Sequence, residues 1–381
     1  MLSFQISERA EKKVRQGHPW VYRDALMRPP PAATGEFVEV FYRETSLGHA
    51  LYDAASPLAL RMFGSNANFT EVLRARIERA FALRARWFDE STTAHRWIAG
   101  EGDRVPGFVV DRYGEAAVLK CDGDAAIARR AEFVKELTPF LAAANVKTLL
   151  GRVTGGEQTE ILWGEPVEDR QIVREHGVQF FVDLLTGQKT GAFLDQRENR
   201  HWVRSVSKGK RVLNLFSYAG GFSLSAAVGG ALATTSVDIA AKAHQTAQES
   251  FKLHSIVLRG AHEFVTSDVF TFLEQAIRGG KKWDIVISDP PNFAPNEKSK
   301  PKAMAAYRKL HALASKVVSP SGLFCAASCS SHVTQSEFIE TLRDDVASEE
   351  RSIVRIEGQP ADHPVLAGFP EGRYLKFVVM A

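Results

Sequence analysis

The chain has 381 residues, 45% of them hydrophobic and 24% charged, with a formal net charge of +3; this is the make-up of an ordinary soluble protein with a large core in two or three domains. No stretch of about 18 residues is apolar enough to span a bilayer, and the charged start MLSFQISERAEKKVRQ lacks the apolar run of a secretion signal, so a cytoplasmic protein is expected. Cys121, Cys325 and Cys329 are too few for a disulfide framework, and no Cys/His spacing fits zinc, so no metal is expected and cysteine chemistry would be that of thiols.

Residues 1–28 hold six basic side chains (Arg9, Lys12, Lys13, Arg15, Arg23, Arg28) against three acids (Glu8, Glu11, Asp24), which equals the excess of the whole chain. Such a local patch suits phosphates without high overall charge. Short apolar runs at 37–42, 47–52 and 58–63, separated by turn residues, predict a small β-barrel over 1–66. Asn66 to Asn68 read as a linker, and Thr70 as the cap of an amphipathic helix through Phe88, with Leu73, Ile77, Phe81 and Phe88 on its core face. A mixed α+β region, with GEGDRVPGFVVDRYG as a turn and a strand, fills 67–173.

From Arg174 the pattern becomes a regular alternation. Strands are predicted at 212–216, 234–237, 263–266, 285–288 and 323–327 with helices between, so 174–381 reads as a doubly wound, Rossmann-like parallel sheet and the fold class as α/β. The first of these strands runs into NLFSYAGGFSLSAAVGGA. A glycine pair opening a helix there is where such folds admit a cofactor, but the spacing is not G-x-G-x-x-G, so S-adenosylmethionine fits better than a dinucleotide. Asp238, 24 residues past Asn214, stands where an acid accepts from ribose hydroxyls. Asp268 closes the next strand on the adenine side. Each acid alone is more often a helix N-cap; together with Asp289 they mark three strand ends and favour a nucleoside cofactor.

Asp289 opens DPPNF. Two prolines without N–H donors stop strand pairing and hold Asp289, Pro290 and Phe293 at the rim of the sheet. If the first and fourth strands flank the point where strand order reverses, Asp289 lies beside the cofactor loop. In GLFCAASCSSHVT, Cys325 reads as a small buried hydrophobe, whereas Cys329 follows the last apolar residue. A thiol beside a methyl donor suggests methylation of carbon 5 of a pyrimidine, made nucleophilic by thiolate addition to carbon 6, with His332 within reach as a helper. Methylation of a nitrogen is the competing chemistry, although Asn292 separates the prolines from Phe293. A non-catalytic RNA-binding assembly factor is the alternative from another class.

Several motifs together resemble the bacterial large-subunit (23S) ribosomal RNA cytosine-5 methyltransferases with an N-terminal PUA domain, of the methyltransferase I type. They are GHPWVYRDAL, GEGDRVPGFVVDRYG, GQKTGAFLDQRENR, SDPPNFA, SCSSHV and ADHPVLAGFPEGRYLK, in order over nearly the whole chain. The resemblance implies that Cys329 bonds covalently to cytosine and that Asp289 holds the base. It implies a ribose site at Asp238, an adenine site at Asp268 and a cofactor loop of Phe216, Tyr218, Gly220 and Gly221. Lys189, Phe193 and Gln196 would cover the cofactor. The partner implied is large-subunit ribosomal RNA, gripped by the barrel with His18 and Trp20 of its motif, and by Lys298, Lys300 and Lys302 as a mobile phosphate clamp. Some relatives act instead on guanine N7 and lack the cysteine. Ser250, His254 and His311 replace asparagines usual in the family, on helices behind the site.

Overall fold

The computed structural model describes residues 2–152, 159–187, 190–255, 258, 260–343 and 351–381. They form two units: Met1–Arg174 with Val182–Leu194 and Ala361–Gly372, and Glu175–Phe181 with Asp195–Pro360 and Arg373–Ala381. No helix among the described residues is long and apolar enough to cross a membrane, and none of their side chains cluster as a metal site would require.

The first unit holds a six-stranded sheet that includes Phe37–Tyr42, Thr45–Tyr52 and Leu58–Gly64, the three strands expected there. A strand not foreseen, Ser3–Ile6, pairs in parallel with Phe37–Tyr42. Its four residues are too few to show a period, yet Phe4 and Ile6 are fully buried. The helix that follows runs Phe69–Arg84, and its cap is Asn68, whose side chain accepts from the Glu71 N–H at 3.2 Å, in place of the expected Thr70. It stops at Arg84 and not Phe88. Buried Arg84 forks onto Asp103 at 2.7 and 2.8 Å and donates to the Asp362 carbonyl, spending the side chain on other elements. A second, five-stranded sheet contains Phe108–Tyr113, the strand predicted from GEGDRVPGFVVDRYG.

The second unit is built on a seven-stranded sheet. In chain order its strands are Arg211–Leu215, Ala233–Asp238, Ala261–Thr266, Trp283–Ser288, Val318–Ser328, Ile353–Glu357 and Lys376–Met380. The spatial order is third, second, first, fourth, fifth, seventh, sixth. The first five are parallel and the seventh runs antiparallel to the fifth. Strand residues alternate between two cores, as a sheet covered on both faces requires. Leu213, Leu215, Val286, Phe324 and Ala326 meet helices Val269–Arg278 and Lys300–Ser315. Val212, Ile285, Ile287 and Cys325 meet Val203, Phe222 and Ala226 of helices Arg197–Val206 and Gly221–Val228. Cys325 is fully buried, and burial pushes its thiol well above the ordinary range, as suits a small hydrophobe.

Candidate active site

The first and fourth strands are neighbours, with Leu215 opposite Ser288, so strand order reverses between them. Open sheets bind ligands outside the carboxyl ends of the strands at this point. The loop leaving the first strand is unusual in its backbone: Phe216 and Tyr218 have φ of 58° and 47°. Left-handed conformation costs a bulky residue about 1 kcal/mol or more, so neighbouring bonds must enforce it. The Ser217 N–H donates to the Val237 carbonyl at 3.0 Å, and the Tyr218 N–H to Asp238 Oδ2 at 2.8 Å. Gly220, at φ 71°, ends the loop; a Cβ there would lie 3.0 Å from Ala247, and one on Gly221 3.0 Å from Arg200 Cδ. The glycine pair therefore serves the packing of the loop against its own unit.

Asp238 is oriented from both sides, since Oδ1 also accepts from the Ala240 N–H at 2.8 Å. Each carboxylate oxygen keeps a further acceptor site, which suits the two hydroxyls of a ribose. Asp268 caps helix Val269–Arg278 through Oδ1, accepting from the Thr271 N–H at 2.9 Å, and is otherwise exposed. These carboxylate acceptors fit a nucleoside such as S-adenosylmethionine. Beneath the loop, buried Asn214 donates to Ser223, which also accepts from Ser236.

The fourth strand stops where the prolines begin. The Asp289 N–H reaches the Leu215 carbonyl at 3.5 Å, and Pro290 and Pro291 have no donor to continue. Ser288 pairs with Ala326 of the fifth strand, so Asp289 and Cys329 leave the same end of adjacent strands. The two exit loops are joined. Ser330 donates to Asn292 Oδ1, which also accepts from the Ala294 N–H. Tyr307, fully buried on helix Lys300–Ser315, places its hydroxyl 2.9 Å from Ser328 Oγ and 3.4 Å from Ser330 Oγ. Burial pushes the Tyr307 phenol up, so it stays protonated. Cys329, half-buried, is thus held between two buried serines tied to one tyrosine. Tyr307 and Ser330 were not assigned a role from the sequence, and Asn292 was read only as the spacer between the prolines and Phe293.

Other expected residues have varied surroundings. Phe293 lies against Tyr307, ring centroids 5.0 Å apart. Lys300 opens a helix and pairs with Glu337 at 2.7 Å, whereas Lys298 and Lys302 are exposed. Lys298 lies in a 3₁₀ turn, Glu297–Ser299, closed by an Asn296/Ser299 capping box. His332 sits 3.3 Å from Glu297, and Thr334 caps the helix after it, so the thiol's helper is not seen there. In the first unit His18 is 5% exposed, between the Trp20 carbonyl and Glu371, and Trp20 donates to Glu101 at 2.8 Å. Both are committed to packing with Phe369. Phe193 is half-buried; Gln196 is buried and accepts from Asn199. Lys189 lies outside the described residues. Ser250 and His254 accept the Phe181 and Gln179 N–H groups, supporting the strand Val178–Asp183.

Comparison with known proteins agrees with this fold. A family model for S-adenosylmethionine-dependent methyltransferases matches residues 121–368, and one for PUA-like domains matches 4–64. The ribosomal RNA large subunit methyltransferase of Deinococcus radiodurans is 36% identical over all of this chain and 97% of its own length. The ribosomal RNA large subunit methyltransferase I of Enterobacter sp. (strain 638) is 32% identical over 97% of each chain. Among solved structures, SMU.776 in complex with SAH superposes with a TM-score of 0.89 at 25% identity, covering both chains fully.

Proposed function

The chain belongs to the ribosomal RNA large subunit methyltransferases, and on that premise we propose that it methylates carbon 5 of a cytosine in large-subunit ribosomal RNA through a covalent adduct on Cys329. The observation that carries this reading is the seating of Cys329: a thiol at the exit of the fifth strand, at the same end of the sheet as Asp289, with Ser328 and Ser330 pinned on either side by Tyr307. S-adenosylmethionine, held by the 216–221 loop, Asp238 and Asp268, supplies an electrophilic methyl group when bound. Cys329 adds as thiolate to carbon 6 and breaks the 5,6 double bond, so that carbon 5 becomes the nucleophile. Once carbon 5 has taken the methyl group, whose bond to sulfur breaks as the new carbon–carbon bond forms, loss of the carbon 5 proton to a base and departure of the thiolate restore the ring. Asp289 orients the base. Asn292 between the prolines and Phe293 supports carbon over nitrogen, because it displaces the aromatic from the place directly after the prolines.

In this reading residues 1–66 form an RNA-binding module, 67–173 a central domain and 174–381 the methyltransferase domain, working in the cytoplasm. Lys298 and Lys302 take the phosphates, Pro290 stiffens the rim beside the base, and Lys189, Phe193 and Gln196 belong to the segment that covers the cofactor. The base must leave its stack, so the target is single-stranded or locally open RNA. The test is incubation of wild type and Cys329→Ala with S-adenosylmethionine and unmodified large-subunit RNA, followed by nucleoside mass spectrometry. Wild type is expected to make 5-methylcytidine and the variant none. A variant that still methylates, or a guanosine product, overturns the reading.

A further inference from the structure

Lys376 opens the seventh strand, KFVVM, and is only 2% exposed. Its backbone pairs with Ser328, the residue before Cys329. The ammonium donates to the Ser330 carbonyl, to the Val333 carbonyl at 2.8 Å and to the Tyr374 carbonyl at 2.9 Å. Two of these three carbonyls lie on the loop that leaves Cys329. Burial pushes the ammonium down to about 8, while Cys329 and Glu337 act to keep it charged. Three carbonyls solvate the charge without neutralising it, so an anion is wanted nearby.

The ionisable groups around this point can be taken element by element. Glu337, on helix Gln335–Glu340, is held near 2 by hydrogen bonds from Lys300 and Thr334 and is already paired. Tyr307, on helix Lys300–Ser315, is held neutral, and its phenol responds to both Cys329 and Asp289. His332 pairs with Glu297. Asp289 belongs to the exit of the fourth strand. Cys329 and His332 are the titratable groups in the loop that Lys376 itself anchors, and His332 already faces Glu297. We infer that Lys376 is a positioning residue for Cys329: it clamps the loop that carries the thiol, and its ammonium stabilises the thiolate without touching the substrate. This rests on the reading of Cys329 as the nucleophile.

The test measures the thiol itself. Alkylation of the Cys329 peptide by iodoacetamide is followed by mass spectrometry from about pH 6 to about pH 10 in full-length wild type, Lys376→Met and Lys376→Arg. Wild type is expected to titrate below the ordinary thiol value of about 8.5. At about pH 7 the Met variant is expected to react about tenfold more slowly, and the Arg variant to recover most of the loss. An unchanged profile in the Met variant overturns the inference. So does a wild-type inflection at or above about 8.5, a result that needs no folded variant. Methylation by the same proteins separates the two readings. A shifted thiol profile in an enzyme that makes no 5-methylcytidine removes the cytosine reading and supports the role of Lys376. Lost methylation with an unshifted profile makes Lys376 structural only.

Discussion

Asp238 shows how one side chain is prepared for a ligand. Both of its oxygens are fixed by backbone N–H groups, one from the loop and one from the turn after its own strand, so the carboxylate is oriented in advance. Its removal loses hydrogen bonds to a charged acceptor, worth about 1.5–3 kcal/mol. Asp238→Ala is therefore expected to weaken S-adenosylmethionine binding by roughly 10- to 100-fold in calorimetry, while RNA affinity holds. At this scale the sequence was legible where chemistry depends on residue type: Asp238, Asp268, Asp289 and Cys329 all stand at strand exits. It was silent where backbone conformation decides. Nothing in two aromatic residues announces the left-handed φ of Phe216 and Tyr218, which neighbours impose. Nor does the motif around His18 and Trp20 announce that His18 is 5% exposed and that both rings lie against Phe369.

Among the elements, helix Lys300–Ser315 links packing to pH. His311 is 1% exposed, with Nδ1 near the Thr341 hydroxyl at 3.1 Å, and burial pushes it down to about 4. The unfolded chain takes up this proton near the ordinary value of about 6.5, and the folded chain only near 4. Between those values the unfolded state binds more protons, so stability is full above about 6.5 and falls as pH drops toward 4. Burial moves His201, His244 and His262 in the same direction. Thermal melting is expected to drop on acidification from about pH 7 to about pH 5, and His311→Asn to flatten part of that drop; an unaltered slope would rule out His311 as a source. Five parallel strands were legible because each is followed by a helix in a regular alternation. The sixth and seventh follow no such rhythm. Lys376–Met380 carries a lysine at its start, which reads as a surface residue until Ser330, Val333 and Tyr374 supply its carbonyls.

For the molecule as a whole, RNA affinity is expected to depend on salt, because Lys298 and Lys302 are exposed while Lys300 is paired. Replacing both with Ala should reduce the slope of log affinity against log salt by about 1.4, from about 0.7 per contact on a single strand, with cofactor affinity unchanged. Replacing Lys300 should instead cost helix stability through Glu337, a contrast that melting and filter binding read separately. The two units have a further consequence, for synthesis. The chain passes between them five times, and residues 361–372 belong to the first while 373–381 belong to the second. No single cut releases either one whole, and during translation neither is finished until the final segments leave the ribosome. The loop after Cys329 also waits: its anchoring ammonium is made 47 residues later. On the proposed reading, a nascent chain carries the Cys329 thiol before Lys376, its clamp, has been made.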